Sequence, residues 1–370
     1  MPPAVAEPPP VLGRAQPVSQ LHLGGGTPTF LGEDELGELM TMLRASFRIA
    51  PTAEVSIEVD PRTATPARLA HLRALGFNRL SFGVQGFDPD VQKAVHWVQP
   101  LELVRLLMRA AREIGFDSIN ADLIYGLPRQ TPASFQRTLA QIAELGPDRI
   151  ALYAYALRPQ RFKPQRRIVV EQLRSPEHRA QRLRGAIAGF IGHGYKHIGM
   201  DHFALPGDAL SVAGRQGRLH RNFQGYSTQP EGDLIGLGVS AIARMGSTYS
   251  QNAKTLDEYV DAVRQGRFPV VRGLSLSRDE LVRRAVVMAL MCQGRVEFES
   301  IELAHLIRLR DYFKSELADL AELQALGLVE LDPEAVQVTA TGGYFVRAVA
   351  MVFDRQLRAD QLRERFSRII

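Results

Sequence analysis

Cysteine is almost absent from this sequence: Cys292 is the single one among 370 residues. An intrachain disulfide is therefore excluded, and with it a disulfide-stapled secreted scaffold. Tryptophan is as scarce, with Trp97 alone. No apolar run approaches the length that spans a bilayer, so no membrane-crossing helix is expected. The first ten residues, MPPAVAEPPP, have neither a basic start nor an apolar stretch, which excludes a secretory signal there. These absences together give a cytoplasmic location as the expectation. Neither sign of charge dominates: 45 basic against 40 acidic residues leave a net charge of +5. A mild basic excess suits an acidic partner such as a polycarboxylate, a nucleotide or a nucleic acid, and serves solubility equally well. Apolar residues, at 45%, are plentiful enough for a large core, and the 23% of charged residues exclude a disordered chain.

Four segments share one grammar: ALGFNRLSFGV, EIGFDSINADLIYGLP, ELGPDRIALYAYAL and GHGYKHIGMDHFALP. Each carries a glycine where a helix should end, at Gly76, Gly115, Gly146 and Gly194, because glycine enters the left-handed region without a Cβ penalty. Before the glycines, 65–75, 101–114, 131–145 and 175–193 place apolar residues three and four apart, the helical spacing. After them come β-prone runs. Two more strands, VSQLHL (18–23) and VSIEVD (55–60), precede the set, and LIGLGVSAIARM (234–245) follows it as another apolar run. Strands alternating with helices predict parallel βα units, in a complete or partial TIM-like barrel or in a doubly wound open sheet. From about Gly273 the rhythm stops. Residues 281–291 and 301–326 read as helical, and 327–342 as a hairpin turning at Asp332-Pro333. Helices followed by a hairpin predict a small winged-helix-like domain. Its helix before the hairpin carries Glu316, Asp319 and Glu322 and no base beyond Lys314, which argues against nucleic-acid reading and for packing or a lid role.

Ligands of parallel sheets bind beyond the C-terminal strand ends, so that is where chemistry is sought. Gly24-Gly25-Gly26-Thr27-Pro28-Thr29 follows the first strand; its glycines allow close approach of a ligand to backbone N–H groups, although the spacing fits neither a phosphate loop nor a dinucleotide fingerprint. Glu58, Gln85 and Asp122 are polar residues near the ends of consecutive apolar strands. Burying one unpaired is costly, and three at matching places favour a common ligand. A carboxylate there can hold an amino group or a ribose diol. Tyr153, Tyr155 and Ala156 end the next strand, as core or as ligand platform. His197, Asp201 and His202 match no standard metal spacing, so hydrogen bonding or proton handling is the better reading and no metal site is assigned. HRNFQGYST (220–228) reads as a structured loop bearing a base, aromatics and amides.

GGGTPTFL, SIEVDP, GFNRLSFGVQGFDPDVQKAV, INADLIYGLPRQTPASF, GYKHIGMDHFA, LHRNFQGYST and DLIGLGVSAIA occur in that order. Together they resemble the oxygen-independent coproporphyrinogen III oxidase (dehydrogenase) family of the radical S-adenosylmethionine (SAM) superfamily, from about Val11 to the FSRII end. MDHFA and HRNFQGYST are the more diagnostic segments. The resemblance implies an α/β fold with a partial parallel (TIM-like) barrel, a [4Fe–4S] cluster and SAM. It implies the oxidoreductase chemistry of haem biosynthesis: an adenosyl radical takes hydrogen from a propionate side chain of coproporphyrinogen III, and decarboxylation leaves a vinyl. Two such steps give protoporphyrinogen IX. An electron donor is implied as partner; neither nucleic acid nor membrane is. By the same resemblance Gly25, Gly26 and Thr27 contact SAM along its methionine part, Glu58, Gln85 and Asp122 bind its polar groups including the ribose, and Ala156 and Ile242 line the adenosine site. No catalytic residue is assigned.

Two departures qualify this expectation. The family's CxxxCxxC cluster loop lies upstream of GGGTP, where this sequence has no cysteine, and Cys292 reads as a buried free thiol. A barrel without its first βα unit, inactive alone, is expected. Trp97 stands where the family has an arginine, so the paired bonds an arginine gives a carboxylate are lost. A cluster-free relative that binds a tetrapyrrole or nucleoside is the alternative expectation. The expected division is a Pro-rich tail at 1–10, the barrel at 11–272 and a helical domain with hairpin at 273–370.

Overall fold

The first strand, β1 (Pro17–Leu23), leads through the glycine turn to α1 (Glu33–Ser46), and the alternation then repeats. This is a computed structural model, and it describes residues 16–157, 160, 165–166, 176–230 and 232–356. The Pro-rich tail, the start of the resemblance at Val11, Ser175 and the FSRII end lie outside the described residues. The chain continues through β2 (Arg48–Val59), α2 (Pro66–Ala74), β3 (Arg79–Gln85), α3 (Pro89–Ala94), α4 (Leu101–Ile114), β4 (Ser118–Tyr125), α5 (Pro132–Leu145), β5 (Arg149–Ala154) and α6 (Pro176–Gly192). Local chemistry sets these boundaries. Thr65 accepts from the Arg68 N–H and Pro66 opens α2, while Thr131 and Ser134 form a capping box at the start of α5. Gly115 and Gly146 end α4 and α5 with φ of 90° and 60°, the left-handed conformation the sequence predicts.

The strands form an open seven-stranded sheet in the order β1-β2-β3-β4-β5, then β7 and β6, with β1 to β5 parallel. Sequential parallel order is the signature of a partial barrel, and the expected architecture is met. One face is apolar. Ile57, Leu80, Phe82, Val84, Ile119, Ala121, Leu123, Ile150 and Leu152 are fully buried, each but Ala121 worth about 1.5–3 kcal/mol of transfer free energy. Two readings need correction. The strand of 48–59 begins seven residues before the predicted Val55. The fourth segment, KHIGMDHFALP, is not one parallel strand. It folds into a hairpin of β6 (Lys196–Gly199) and β7 (His202–Ala204), turning at Gly199 and Met200 with φ of 153° and 50°. β7 runs antiparallel to β5.

Within α7 (Ala209–Arg215), between Val212 and Ala213, the chain passes to a second compact unit. The segment 220–228 is a hairpin of β8 (His220–Asn222) and β9 (Gly225–Ser227). The run 234–245 is a strand only at its end, β10 (Ile242–Met245). It doubles back so that Leu234 and Arg244 exchange backbone hydrogen bonds, and Gly236 approaches Ile242 too closely for a side chain. β11 (Thr248–Asn252) and β12 (Val270–Ser275) complete that antiparallel sheet, with α8 (Leu256–Arg264) between them. Then follow α9 (Arg278–Gln293), β13 (Arg295–Glu297), α10 (Phe298–His305), α11 (Leu309–Tyr312), α12 (Lys314–Ala325), β14 (Val329–Leu331), β15 (Ala335–Val338) and α13 (Val346–Met351). The predicted helical stretch 301–326 is thus three helices, broken at Leu306 with φ of 53°. The hairpin turns where predicted, with Asp332 accepting from the Glu334 and Ala335 N–H groups. Helices and a three-stranded sheet in this order form the winged-helix-like arrangement. Among the described residues no helix is long and apolar enough to cross a membrane.

Candidate functional site

The face of the parallel sheet opposite the apolar one is polar, and it is layered, because side chains alternate along each strand. At the N-terminal ends lies an ion-pair network. Arg79 meets Glu54 at 2.7 Å, and Arg149 donates to both oxygens of Asp208 at 2.9 Å. Arg149 also lies 3.8 Å from Glu54, to which Gln20 donates at 3.2 Å. The next layer is joined by side-chain hydrogen bonds. His22 Nδ1 is 2.8 Å from Ser56 Oγ, and Asn120 donates to Ser81 at 2.8 Å. The third layer, at the C-terminal ends, holds Glu58, Gln85 and Asp122.

Glu58 accepts from the Gly25 N–H at 3.1 Å, and its other oxygen is 3.5 Å from His22 Nε2. A Cβ on Gly24 would lie 2.4 Å from His22 Nε2 and 2.7 Å from the Glu58 carboxylate, so a larger residue there would displace these side chains. Gly25, at φ 108°, and Gly26 face open space, and Thr27 accepts the Phe30 N–H through its carbonyl as the next turn begins. Asp122 accepts from Ser81 Oγ at 3.0 Å and Asn120 Nδ2 at 2.8 Å. Burial raises its carboxyl above the usual aspartate range, and the Glu58 charge adds to this. The Asn120 and Ser81 hydrogen bonds and His202 oppose the rise. Asp122 thus feels both Glu58 and His202, and the strand ends share one electrostatic environment.

Gln85 closes β3 with φ of 62°, and Gly83 beside it is the register partner of Asp122. A Cβ on Gly83 would lie 3.2 Å from Gln85 Nε2 and 3.7 Å from the Trp97 ring, so both side chains flank this glycine. The amide of Gln85 has no hydrogen-bond partner among the described residues. Trp97 is delivered by a short loop that two buried amides fix: Gln92 donates to the Gly86 and Gln99 carbonyls, and Gln99 to the Val84 carbonyl. The Trp97 Nε1–H is buried without an acceptor among the described residues, and the Arg62 guanidinium stacks 3.5 Å from the centre of its ring.

On the far side, Ala156 is exposed two residues past β5, and the Tyr155 hydroxyl is buried without a partner among the described residues. Asp201 and His202 pair at 2.6 Å, His202 packs edge-on against Tyr153, and His197 meets the Met200 carbonyl at 3.0 Å. These are hydrogen-bonding roles. Ile242 lies in the second unit, on β10. Sequence reasoning missed His22, Ser81, Asn120 and Arg62. The first three were legible as polar residues at alternate strand positions; Arg62 had no signal, since it meets Trp97 across 35 residues of sequence.

The donor set suits SAM. Glycine N–H groups, two carboxylates and an unpartnered amide gather at the strand ends, and Gly24 and Gly83 are cradles that a Cβ would fill. It does not suit an iron–sulfur cluster. Burial pushes the one thiol, on Cys292, up to about 11, and among the described residues no group of three His, Cys, Asp or Glu side chains could hold a metal ion. A cavity of about 560 Å³ lined by Arg44, Phe47, Arg48 and Arg73 opens where β2 starts, and it shares no residue with the strand-end site.

A Radical SAM superfamily profile matches residues 11–142, and a HemN C-terminal domain profile matches 276–345. The oxygen-independent coproporphyrinogen III oxidase of Escherichia coli strain K12 is 48% identical over 353 residues, covering 95% of this chain and 77% of that protein. The Pseudomonas aeruginosa protein of the same name is 46% identical over 361 residues, covering 97% and 78%. The solved structure of the E. coli coproporphyrinogen III oxidase, a radical SAM enzyme, superposes with a TM-score of 0.90, covering 92% of this chain and 79% of that one.

Proposed function

From the chain's membership of the oxygen-independent coproporphyrinogen III oxidase family within the radical SAM superfamily, we propose that its half-barrel is the SAM- and substrate-binding part of a coproporphyrinogen III oxidase. The reaction is the oxidative decarboxylation of two propionates to vinyls, with coproporphyrinogen III as substrate and an external electron donor. The barrel portion is taken as 11–272 and the winged-helix-like portion as 273–370, in keeping with profile matches at 11–142 and 276–345.

SAM supplies the adenosyl group that abstracts hydrogen in this family. The chain's own residues hold it. Gly25, Gly26 and Thr27 line its methionine part, where exposed backbone lets a ligand approach closely. Glu58, anchored on the Gly25 N–H, offers its carboxylate to the amino group. Asp122 accepts from the ribose hydroxyls, while Ser81 and Asn120 fix its orientation. Gln85 supplies neutral hydrogen bonds, and Ala156 packs against the adenosine. These 370 residues offer one thiol and a [4Fe–4S] cluster needs several, so they do not hold one by themselves.

The observation that carries the reading is the polar row of Glu58, Asp122 and their supports at the ends of three parallel strands. Isothermal calorimetry with SAM tests it. Asp122→Ala and Glu58→Ala are each expected to weaken binding about tenfold or more, the worth of one charge-assisted hydrogen bond. Unchanged affinity in both would remove the site.

A further inference from the structure

Trp97 stands where the resemblance leads one to expect an arginine, and a guanidinium lies on its ring all the same. Arg62 follows the end of β2, in Asp60-Pro61-Arg62. The side chain of Asp60 is 6% exposed, and it grips Arg62 through Nε at 2.9 and 3.1 Å and through Nη2 at 2.6 Å, as well as through the Arg62 backbone N–H at 3.0 Å. This fork fixes the plane of the guanidinium. Trp97 supports its face at 3.5 Å. Both constraints leave one nitrogen free: Nη1 has no acceptor among the described residues, on a side chain still 33% exposed. An arginine held on two sides and unsatisfied on the third is prepared for a planar anion. Trp97 in turn flanks Gly83 together with Gln85, whose amide has no partner. The free Nη1 and the free Gln85 amide are thus both near Trp97, and Gly83 between Gln85 and the indole is the register partner of Asp122.

We propose that Arg62, carried on the face of Trp97, is the cation that receives the α-carboxylate of SAM in this chain. The inference rests on the SAM reading above. Trp97 acts as a positioning residue: its ring holds the guanidinium by cation–π attraction, which strengthens where water is excluded. Asp60 cancels the net charge of the pair, so directed hydrogen bonds rather than long-range attraction make the contact.

The test uses the full chain and two ligands measured by calorimetry, SAM and 5′-methylthioadenosine, which keeps the nucleoside but lacks the amino acid carboxylate. Arg62→Gln is expected to weaken SAM tenfold to a hundredfold, as for a charge-assisted hydrogen bond, and to leave 5′-methylthioadenosine within about twofold. Trp97→Phe, which keeps a ring face, should retain most of the SAM affinity, and Trp97→Leu should lose it selectively. Unchanged SAM affinity in Arg62→Gln overturns the proposal while the SAM site stands. Equal weakening of both ligands also overturns it, since it would mark a general structural effect. Failure of the unaltered chain to bind either ligand overturns the SAM reading and this inference with it.

Discussion

Replacing Arg149 by methionine should cost the barrel unit about 3–5 kcal/mol, the usual consequence of stranding a buried carboxylate. The side chains of Arg149 and Asp208 are 4% and 5% exposed, and two hydrogen bonds of 2.9 Å join them. Without the guanidinium, Asp208 keeps only the Leu210 N–H at 2.7 Å and a long contact to Ser118 at 3.4 Å. Glu54 loses less, because Arg79 still holds it at 2.7 Å. Arg149→Lys retains the charge but not the fork, and should fall between methionine and the original. The decisive variant is Arg149→Met with Asp208→Asn. It removes both charges, keeps an acceptor for the Leu210 N–H, and should recover to within about 1–2 kcal/mol of the starting protein, because a buried pair adds little over neutral groups. Urea unfolding followed by the fluorescence of Trp97 reads this directly, since the only tryptophan lies in the same unit. A loss below about 1 kcal/mol for the single variant, or a double variant as unstable as the single, would refute the reasoning.

Two further outcomes follow from the titrating groups. Asp122 is held above the usual aspartate range, so it keeps its proton to a higher pH than in the unfolded chain. Its effect on folding is most favourable below the ordinary aspartate value and declines as pH rises through the raised one. SAM affinity should rise over that same window, as the ionised carboxylate becomes available to the ribose; Asp122→Asn should flatten the profile, and an unchanged slope would exclude Asp122 as the acceptor. Cys292, pushed up to about 11, should be alkylated at pH 8 about two orders of magnitude more slowly in the native chain than in urea. Anaerobic treatment of these residues with iron and sulfide should leave no stoichiometric [4Fe–4S] cluster; one iron–sulfide cube per chain would contradict the one-thiol argument.

The parallel units were legible because their signals are local. Glycine at a helix end and apolar residues at helical or alternating spacing act within a dozen residues, and Gly76, Gly115, Gly146 and Gly194 all take positive φ where predicted. Glu58, Gln85 and Asp122 were legible for the same reason, as polar interruptions of apolar strands. The reversal at Gly199-Met200 was not, because KHIGMDHFA has the composition of one continuous strand and only tertiary pairing with β5 splits it. The Glu54–Arg79–Arg149–Asp208 layer and the Arg62–Trp97 stack were equally hidden. Their members are far apart in sequence, and an arginine on a strand carries no mark of the carboxylate that it will meet.

The reversed strand β7 has a consequence for how the site can change. A parallel strand offers its last residues to the C-terminal face, and the loop that follows can lengthen freely, as surface loops tolerate insertion. A reversed strand offers its first: His202 opens β7 opposite Ala151, and Leu152 takes the Asp201 carbonyl at 2.7 Å. The wall bearing Asp201 and His202 is therefore a tight turn locked to β5. Insertions are therefore expected to be tolerated in the loops after β1 to β4 and to disrupt this wall, whose register with β5 they would break.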